Sequence, residues 1–81
     1  MIDADELRRN LGPNISRLRR DRDMSQQQLA DLLGIHRVQV NRIENGHHVP
    51  NADLLFTIAD AFGVPADTLR QVSLQKSSTS T

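Results

Sequence analysis

The sequence predicts an all-α domain built from five short helices. Leu is frequent, whereas Trp and Tyr are absent and β-branched residues are scattered. Apolar residues recur at spacings of three and four, and glycines follow the apolar stretches, as is typical of helices and their ends. No stretch alternates between apolar and polar residues in the manner of a strand. With 81 residues, the chain can bury one modest core and not two.

The first helix is indicated by Leu11, Ile15 and Leu18, which share one helical face. Pro13 suits a first turn, where its missing N–H is not needed. We therefore expect the regular part of this helix to run from about Gly12 to Arg22, with at most an irregular turn before it.

The second helix begins after Ser25, which forms a capping box with Gln28 because each side chain can bond the other residue's backbone N–H. Gly34 is expected to end the helix in a left-handed conformation. Its buried stripe consists of Leu29, Ala30, Leu32 and Leu33.

The third helix is expected from about Arg37 to Asn45, with Ile35 filling the turn before it and Gly46 stopping it. Val40 and Ile43 face inward at three-residue spacing, so Arg, Gln and Asn side chains point outward. A rigid helix that exposes such hydrogen-bonding groups suits the reading of base edges in the DNA major groove.

The last two helices follow a loop. Asn51 is a good N-cap for the fourth helix, Asp53 is favourable in its first turn, and Gly63 closes it. Its buried face is expected to comprise Leu54, Leu55, Ile58, Ala59 and Phe62. Pro65 starts a short fifth helix that extends to about Val72.

The chain divides into three parts by composition. We expect an N-terminal extension over residues 1–10, a folded domain over residues 11–73 and a flexible tail over residues 74–81. The tail is polar and of low complexity, so it cannot bury enough apolar surface to order itself.

The composition excludes several classes of protein. The chain has no cysteine, hence neither a disulfide nor a thiolate metal site, and its histidines lack companions at metal-ligand spacing. No apolar run approaches the roughly 18 residues of a membrane span. The N-terminus has acids before its bases and no apolar segment of a signal peptide. We expect a soluble cytoplasmic protein without cofactor or metal.

The charge is balanced overall but not evenly placed. The net charge is zero, yet six of the ten basic residues lie between Arg8 and Arg22, and Arg37 and Arg42 lie on the third helix. The chain can therefore present one basic face, with moderate attraction for phosphates. For most arginines of the early run, a solvated helix face is the simpler interpretation.

These elements together resemble the lambda-repressor-like helix-turn-helix family, also called the Cro, phage-repressor or XRE type. The resemblance spans roughly residues 11–72, with the second and third helices as the motif. The residues that carry it are Ser25-Gln26, Leu29-Ala30, Gly34-Ile35, Val40, the run from Arg42 to Gly46, Pro50 and Phe62-Gly63-Val64.

The resemblance implies contacts to double-stranded DNA. The residues that would face the bases are Arg37, Val38, Asn41 and Arg42, with Gln39 at the edge. Arginine can pair with guanine, Asn or Gln with adenine, and Val with a thymine methyl group. Val38 could instead belong to the core, but Val40 and Ile43 already face inward.

The same resemblance implies phosphate contacts and one structural ion pair. Gln26 would bond a phosphate and brace the third helix, and Asn45 and Gly46 would offer amide donors. Arg19 corresponds to a basic position that pairs with an acid, so we expect an Arg19–Glu44 ion pair.

The histidines depart from the family pattern. His36 stands where Ser or Thr usually caps the third helix, and His47 and His48 occupy a loop that is often basic. All three could contact phosphate, and a polyanion favours the protonated imidazole. DNA binding is therefore expected to strengthen below about pH 6.5.

A homodimer is expected because one recognition helix reads only about half a site. The fifth helix would supply the interface through Leu69, Val72 and Leu74, although these residues could equally cap the core. Two-fold symmetry would place the recognition helices about 34 Å apart, facing an inverted repeat.

The expected function is a DNA-binding transcriptional regulator, either a repressor or a controller protein. The alternative is a DNA-binding antitoxin that neutralises a partner toxin and autoregulates its operon. An enzyme is rejected because the sequence offers no nucleophile–base pair, paired carboxylates or phosphate-binding glycine loop.

Overall fold

The order of elements is α1 to α5, without a strand, over residues 4–70, the part described by the computed structural model; side chains are described from Asn10 onward. The helices are α1 (Ala4–Asp21), α2 (Gln26–Leu33), α3 (Arg37–Glu44), α4 (Ala52–Phe62) and α5 (Ala66–Arg70). The predicted all-α class, the helix count and the helix-turn-helix of α2 and α3 are confirmed.

Helix α1 is longer than the sequence predicts. It begins at Ala4 rather than near Gly12, and Pro13 lies inside it instead of in its first turn. A proline within a helix removes one backbone N–H donor, here the one that would bond the carbonyl of Arg9. The exposed Pro13 is tolerated because the opposite face of the helix is firmly packed, with Leu11 and Ile15 almost completely buried.

Gly12 allows α1 to lie directly against the end of α3. A Cβ atom at this position would lie 2.4 Å from the carbonyl oxygen of Glu44 and 2.7 Å from that of Ile43. Such distances are far inside van der Waals contact. The absence of a side chain at position 12 therefore sets how closely these two helices approach.

The predicted caps of α2 and α4 are confirmed. Ser25 Oγ accepts the N–H of Gln28 at 3.0 Å, and Gln28 Oε1 accepts the N–H of Ser25 at 2.8 Å. Gly34 ends α2 with φ of +72°. Asn51 Oδ1 accepts the N–H of Leu54 at 2.8 Å, and Gly63 ends α4 in the same left-handed conformation.

One core joins all five helices. Its largest fully buried apolar side chains are Ile15, Leu29, Val40, Ile58 and Leu69. Ile35, Leu54 and Leu55 are partly buried and pack against this core, as does Leu33. Leu32, by contrast, was expected in the buried stripe of α2 and is 59% exposed. It lies at the edge of that stripe, where the core does not reach.

Helix α5 is anchored to α1 and not free to meet a second subunit at Leu69. The Leu69 side chain has no exposed surface, and its carbonyl accepts a hydrogen bond from Asn14 Nδ2 at 2.8 Å. The prediction that Leu69 contributes to a dimer interface is therefore wrong, and it caps the core instead. Val72, Leu74 and the predicted tail of residues 74–81 lie outside the described residues.

Arg22 connects the ends of α1 and α4. Its Nη2 donates to the carbonyl of Phe62 at 2.7 Å and its Nη1 to that of Leu18 at 3.1 Å. Its guanidinium also lies 5.2 Å from the centre of the Phe62 ring. These contacts satisfy carbonyls at two helix ends, so this arginine serves the fold.

Across residues 4–70, no helix is long and apolar enough to cross a membrane.

Candidate nucleic-acid interface

The outward face of α3 carries a mixed row of side chains. Arg37, Val38, Asn41 and Arg42 are exposed, whereas Val40 and Ile43 on the opposite face are buried. Val38 is 60% exposed, although a valine gains by burial. Of the two interpretations of Val38, the exposed one is confirmed. The helix therefore presents guanidinium, amide and aliphatic groups side by side.

The arginines whose side chains are described fall into two groups. Arg19 and Arg22 are occupied by contacts within the fold, Arg17 donates to Asn14, and Arg70 pairs with Asp67 at 2.8 Å. Within the described residues, no hydrogen bond or ion pair engages the exposed side chains of Arg20, Arg37 and Arg42. The two on α3 can thus direct their donors at an external ligand.

The predicted ion pair between Arg19 and Glu44 is confirmed. Arg19 Nε lies 2.6 Å from Glu44 Oε2, and its Nη2 lies 3.1 Å from Oε1, a two-point contact. Its Nη1 also donates to the carbonyl of Met24 at 2.7 Å. The two side chains are only 13% and 5% exposed. The pair fixes the end of α3 to the end of α1.

Gln26 adds a second brace at the same carboxylate. Its Nε2 donates to Glu44 Oε1 at 3.1 Å, so the first turn of α2 is tied to the last turn of α3. The predicted bracing role of Gln26 is confirmed. Its contact with a DNA phosphate stays a prediction.

Gln39 has a role that the sequence reasoning missed. Its Oε1 accepts the backbone N–H of His36 at 3.1 Å, and the side chain is half-buried. This bond is one half of a capping box at the start of α3. The three-residue spacing between His36 and Gln39 could have indicated it. An edge contact of Gln39 with a base would have to share this oxygen or use its Nε2 donor.

The predicted phosphate donors at Asn45 and Gly46 are engaged within the chain. The N–H of Asn45 donates to the carbonyl of Asn41 at 3.0 Å, and that of Gly46 to Ile43 at 3.2 Å. The side-chain Nδ2 of Asn45 also donates to the carbonyl oxygen and to Oδ1 of Asn41. The exposed imidazoles of His36, His47 and His48, in contrast, remain accessible at the two ends of the helix.

The chemistry of this face matches that of DNA base edges. Arginine and amide side chains match the hydrogen-bonding groups of the major groove, and an aliphatic group matches a thymine methyl. Among the described side chains, those of residues 10–70, no three from His, Asp or Glu converge in a way that could hold a metal ion.

The sequence matches a family model described as "Helix-turn-helix" (HTH_3) over residues 15–69. This match includes the whole of α2, α3 and α4 and nearly all of α5. None of the curated proteins compared with the chain matches its sequence.

Three solved structures of similar proteins agree with the fold. A hypothetical transcription factor from Neisseria is 26% identical, with 98% of this chain and 89% of that one covered and a TM-score of 0.85. The restriction-modification controller protein C.AhdI from Aeromonas hydrophila is 27% identical, with coverage of 83% and 98% and a TM-score of 0.72. The clp gene regulator ClgR from C. glutamicum is 26% identical, with coverage of 78% and 82% and a TM-score of 0.72.

Proposed function

Because the chain belongs to the XRE-type, lambda-repressor-like helix-turn-helix family of DNA-binding transcription regulators, we propose that it binds a specific operator and acts as a repressor or controller protein. The observation that carries this proposal is the exposed row of Arg37, Val38, Asn41 and Arg42 on a helix whose end is fixed by Arg19 and Gln26. A braced helix holds its side chains at defined positions along a groove.

Helix α3 enters the major groove in this proposal. Arg37 and Arg42 each pair with a guanine, and Val38 packs on a thymine methyl group. Both guanidinium groups are exposed and without a partner in the described part of the chain, so neither loses an internal contact on binding. Gln26, His36, His47 and His48 supply contacts to phosphate.

The protein binds DNA as a homodimer. The exposed face of α4, the helix that packs against α5, is the candidate interface, because Leu69 of α5 is itself buried. Helix α4 packs against α5 and exposes 59% of Phe56, the one large apolar side chain so exposed outside α2 and α3 among the described residues. A self-complementary contact here would add a second recognition helix and thereby a second half-site.

The likeness to C.AhdI supports the controller role in particular. That structure is described as a restriction-modification controller protein, and the similarity covers 98% of its chain. In this proposal, operator occupancy depends on the concentration of the protein through dimerisation.

Selection of bound sequences from random duplex DNA tests the proposal. The expected result is an inverted repeat whose half-sites lie about one helical turn apart, centre to centre. Recovery of sequences without any preferred bases, at a salt concentration where binding persists, would contradict it, since phosphate contacts alone carry no sequence information.

A further inference from the structure

Two asparagines one turn apart on α3 are bonded to each other at the candidate interface. Asn45 Nδ2 donates to the carbonyl oxygen of Asn41 at 2.9 Å and to its side-chain Oδ1 at 3.2 Å. Both residues are exposed. The Asn41 amide, which would contact a base, is therefore hydrogen-bonded by the Asn45 amide.

This contact fixes the orientation of the Asn41 amide, that is, which of its two ends faces Asn45. A side-chain amide has an accepting end, Oδ1, and a donating end, Nδ2. If the Asn41 amide flipped, so that its Oδ1 and Nδ2 exchanged places, its Nδ2 would face the Nδ2 of Asn45, and two donors cannot form a hydrogen bond. Asn41 Oδ1 therefore stays on the Asn45 side, while no described residue accepts a hydrogen bond from Asn41 Nδ2.

We propose that Asn45 is a positioning residue that sets the base preference of Asn41, and that Asn41 reads guanine rather than adenine. Guanine presents two acceptors in the major groove, N7 and O6, and the two hydrogens of Nδ2 are free for them. Adenine presents an acceptor, N7, and a donor, N6. Its pairing with Asn41 therefore requires Oδ1 to accept from N6 while Oδ1 already accepts from Asn45 Nδ2.

The inference rests on the proposed function, because it assumes that α3 reads the major groove. It also differs from the family resemblance, in which an asparagine pairs with adenine. A purely structural role for Asn45 at the end of α3 would change stability or overall affinity, and would leave the preference at a single base pair unaltered.

The test is selection of bound DNA by the wild type and four variants, N41A, N45A, N41A/N45A and N45D. The base pair read by Asn41 is the one at which N41A loses its preference. The wild type is expected to prefer guanine there. N45A is expected to lower the guanine-to-adenine ratio at that position by at least about fivefold, the lower end of what one two-point contact provides.

The N45D variant is expected to reverse the orientation of the Asn41 amide. A carboxylate can only accept, so Asn41 turns its Nδ2 toward residue 45 and its Oδ1 toward the base. The preference at the same position is expected to move to a base with a donor, cytosine N4 or adenine N6. The added charge weakens binding to all sequences alike, and preferences at the other positions are the internal control.

Two results would overturn the inference. The guanine-to-adenine ratio could stay unchanged in N45A, as it would if N45A weakened binding to every sequence equally. Alternatively, N45A could still alter that position in the N41A background, where nothing remains to be positioned. If the wild type selects no preferred sequence at all, the proposed function fails too. If it selects a preferred sequence but N45A behaves as above, only the inference about Asn45 fails. Circular dichroism melts confirm that each variant is folded.

Discussion

Arg19 and Glu44, which are 25 residues apart in sequence, join the ends of α1 and α3 through hydrogen bonds of 2.6 and 3.1 Å between a guanidinium and a carboxylate. Gln26 bonds the same carboxylate at 3.1 Å. Since only 5% of the Glu44 side chain is exposed, this acid serves the scaffold and is not available to repel DNA phosphates. It fixes the end of the helix that faces outward.

Loss of one partner of this pair should be costly. E44A leaves a largely buried guanidinium without its counter-charge, and we expect the free energy of unfolding to fall by about 3–5 kcal/mol. Urea unfolding measures it. D67A is the matched control, because the Asp67–Arg70 pair is largely exposed and should contribute less than about 1 kcal/mol. Equal effects of the two variants would show that the buried pair has no special structural role.

Gly12 and Pro13 should respond to alanine with opposite signs. In G12A the new Cβ would overlap the carbonyl oxygens of Ile43 and Glu44, so α3 must shift, and we expect a loss of about 1–3 kcal/mol in unfolding free energy. P13A restores an N–H donor at an exposed position inside α1 and should stabilise by about 1–3 kcal/mol. Thermal melts of both variants give the comparison. A stabilising G12A would contradict the close approach of the helices.

Dimerisation should depend on Phe56. F56S is expected to shift the protein toward monomer in sedimentation velocity at micromolar concentration, because an exposed aromatic side chain gains most by burial between subunits. Affinity for the full inverted repeat should fall, whereas affinity for an isolated half-site should not. L32S provides the control at a residue of equal exposure on α2. A wild type that remains monomeric at this concentration would disprove the dimer.

DNA affinity should rise as the pH falls. Phosphates favour the charged imidazole over the neutral one, so any phosphate contacts made by His36, His47 and His48 should strengthen as the pH falls and weaken as it rises. Titration of the selected operator between about pH 6 and 8 measures the effect. A variant with glutamine at all three positions should lose the pH dependence. A flat profile in the wild type would exclude these histidines from phosphate contact.

Local signals predicted most of the fold. The Ser25 capping box, the left-handed Gly34 and the Asn51 cap depend on residues close in sequence, and all are confirmed. The buried stripe of α3 follows equally from helical spacing. The Arg19–Glu44 pair was predicted through the family resemblance, since nothing local connects two residues so far apart.

The errors came from tertiary packing. Pro13 was placed in a first turn by its own preference, but α1 begins at Ala4 and therefore includes it. Leu69 was judged by its apolar character, which cannot distinguish a core position from an interface. The polar contacts of Asn45 and Gln39 are local, with spacings of four and three, and they were overlooked because the resemblance assigned these residues to DNA.

The central claim is that the outward face of α3 reads DNA sequence, and the most direct measurement is the affinity of R42A for the selected operator and for its single-base variants. R42A is expected to lose about 1–3 kcal/mol at one base pair and to accept other bases there, while discrimination elsewhere is unchanged. R70A, which removes the same charge from α5, should leave the base preferences intact. If R42A weakened binding to all sequences equally and kept every base preference, Arg42 would be a phosphate contact. The same result for R37A as well would contradict the assignment of α3 as the recognition helix.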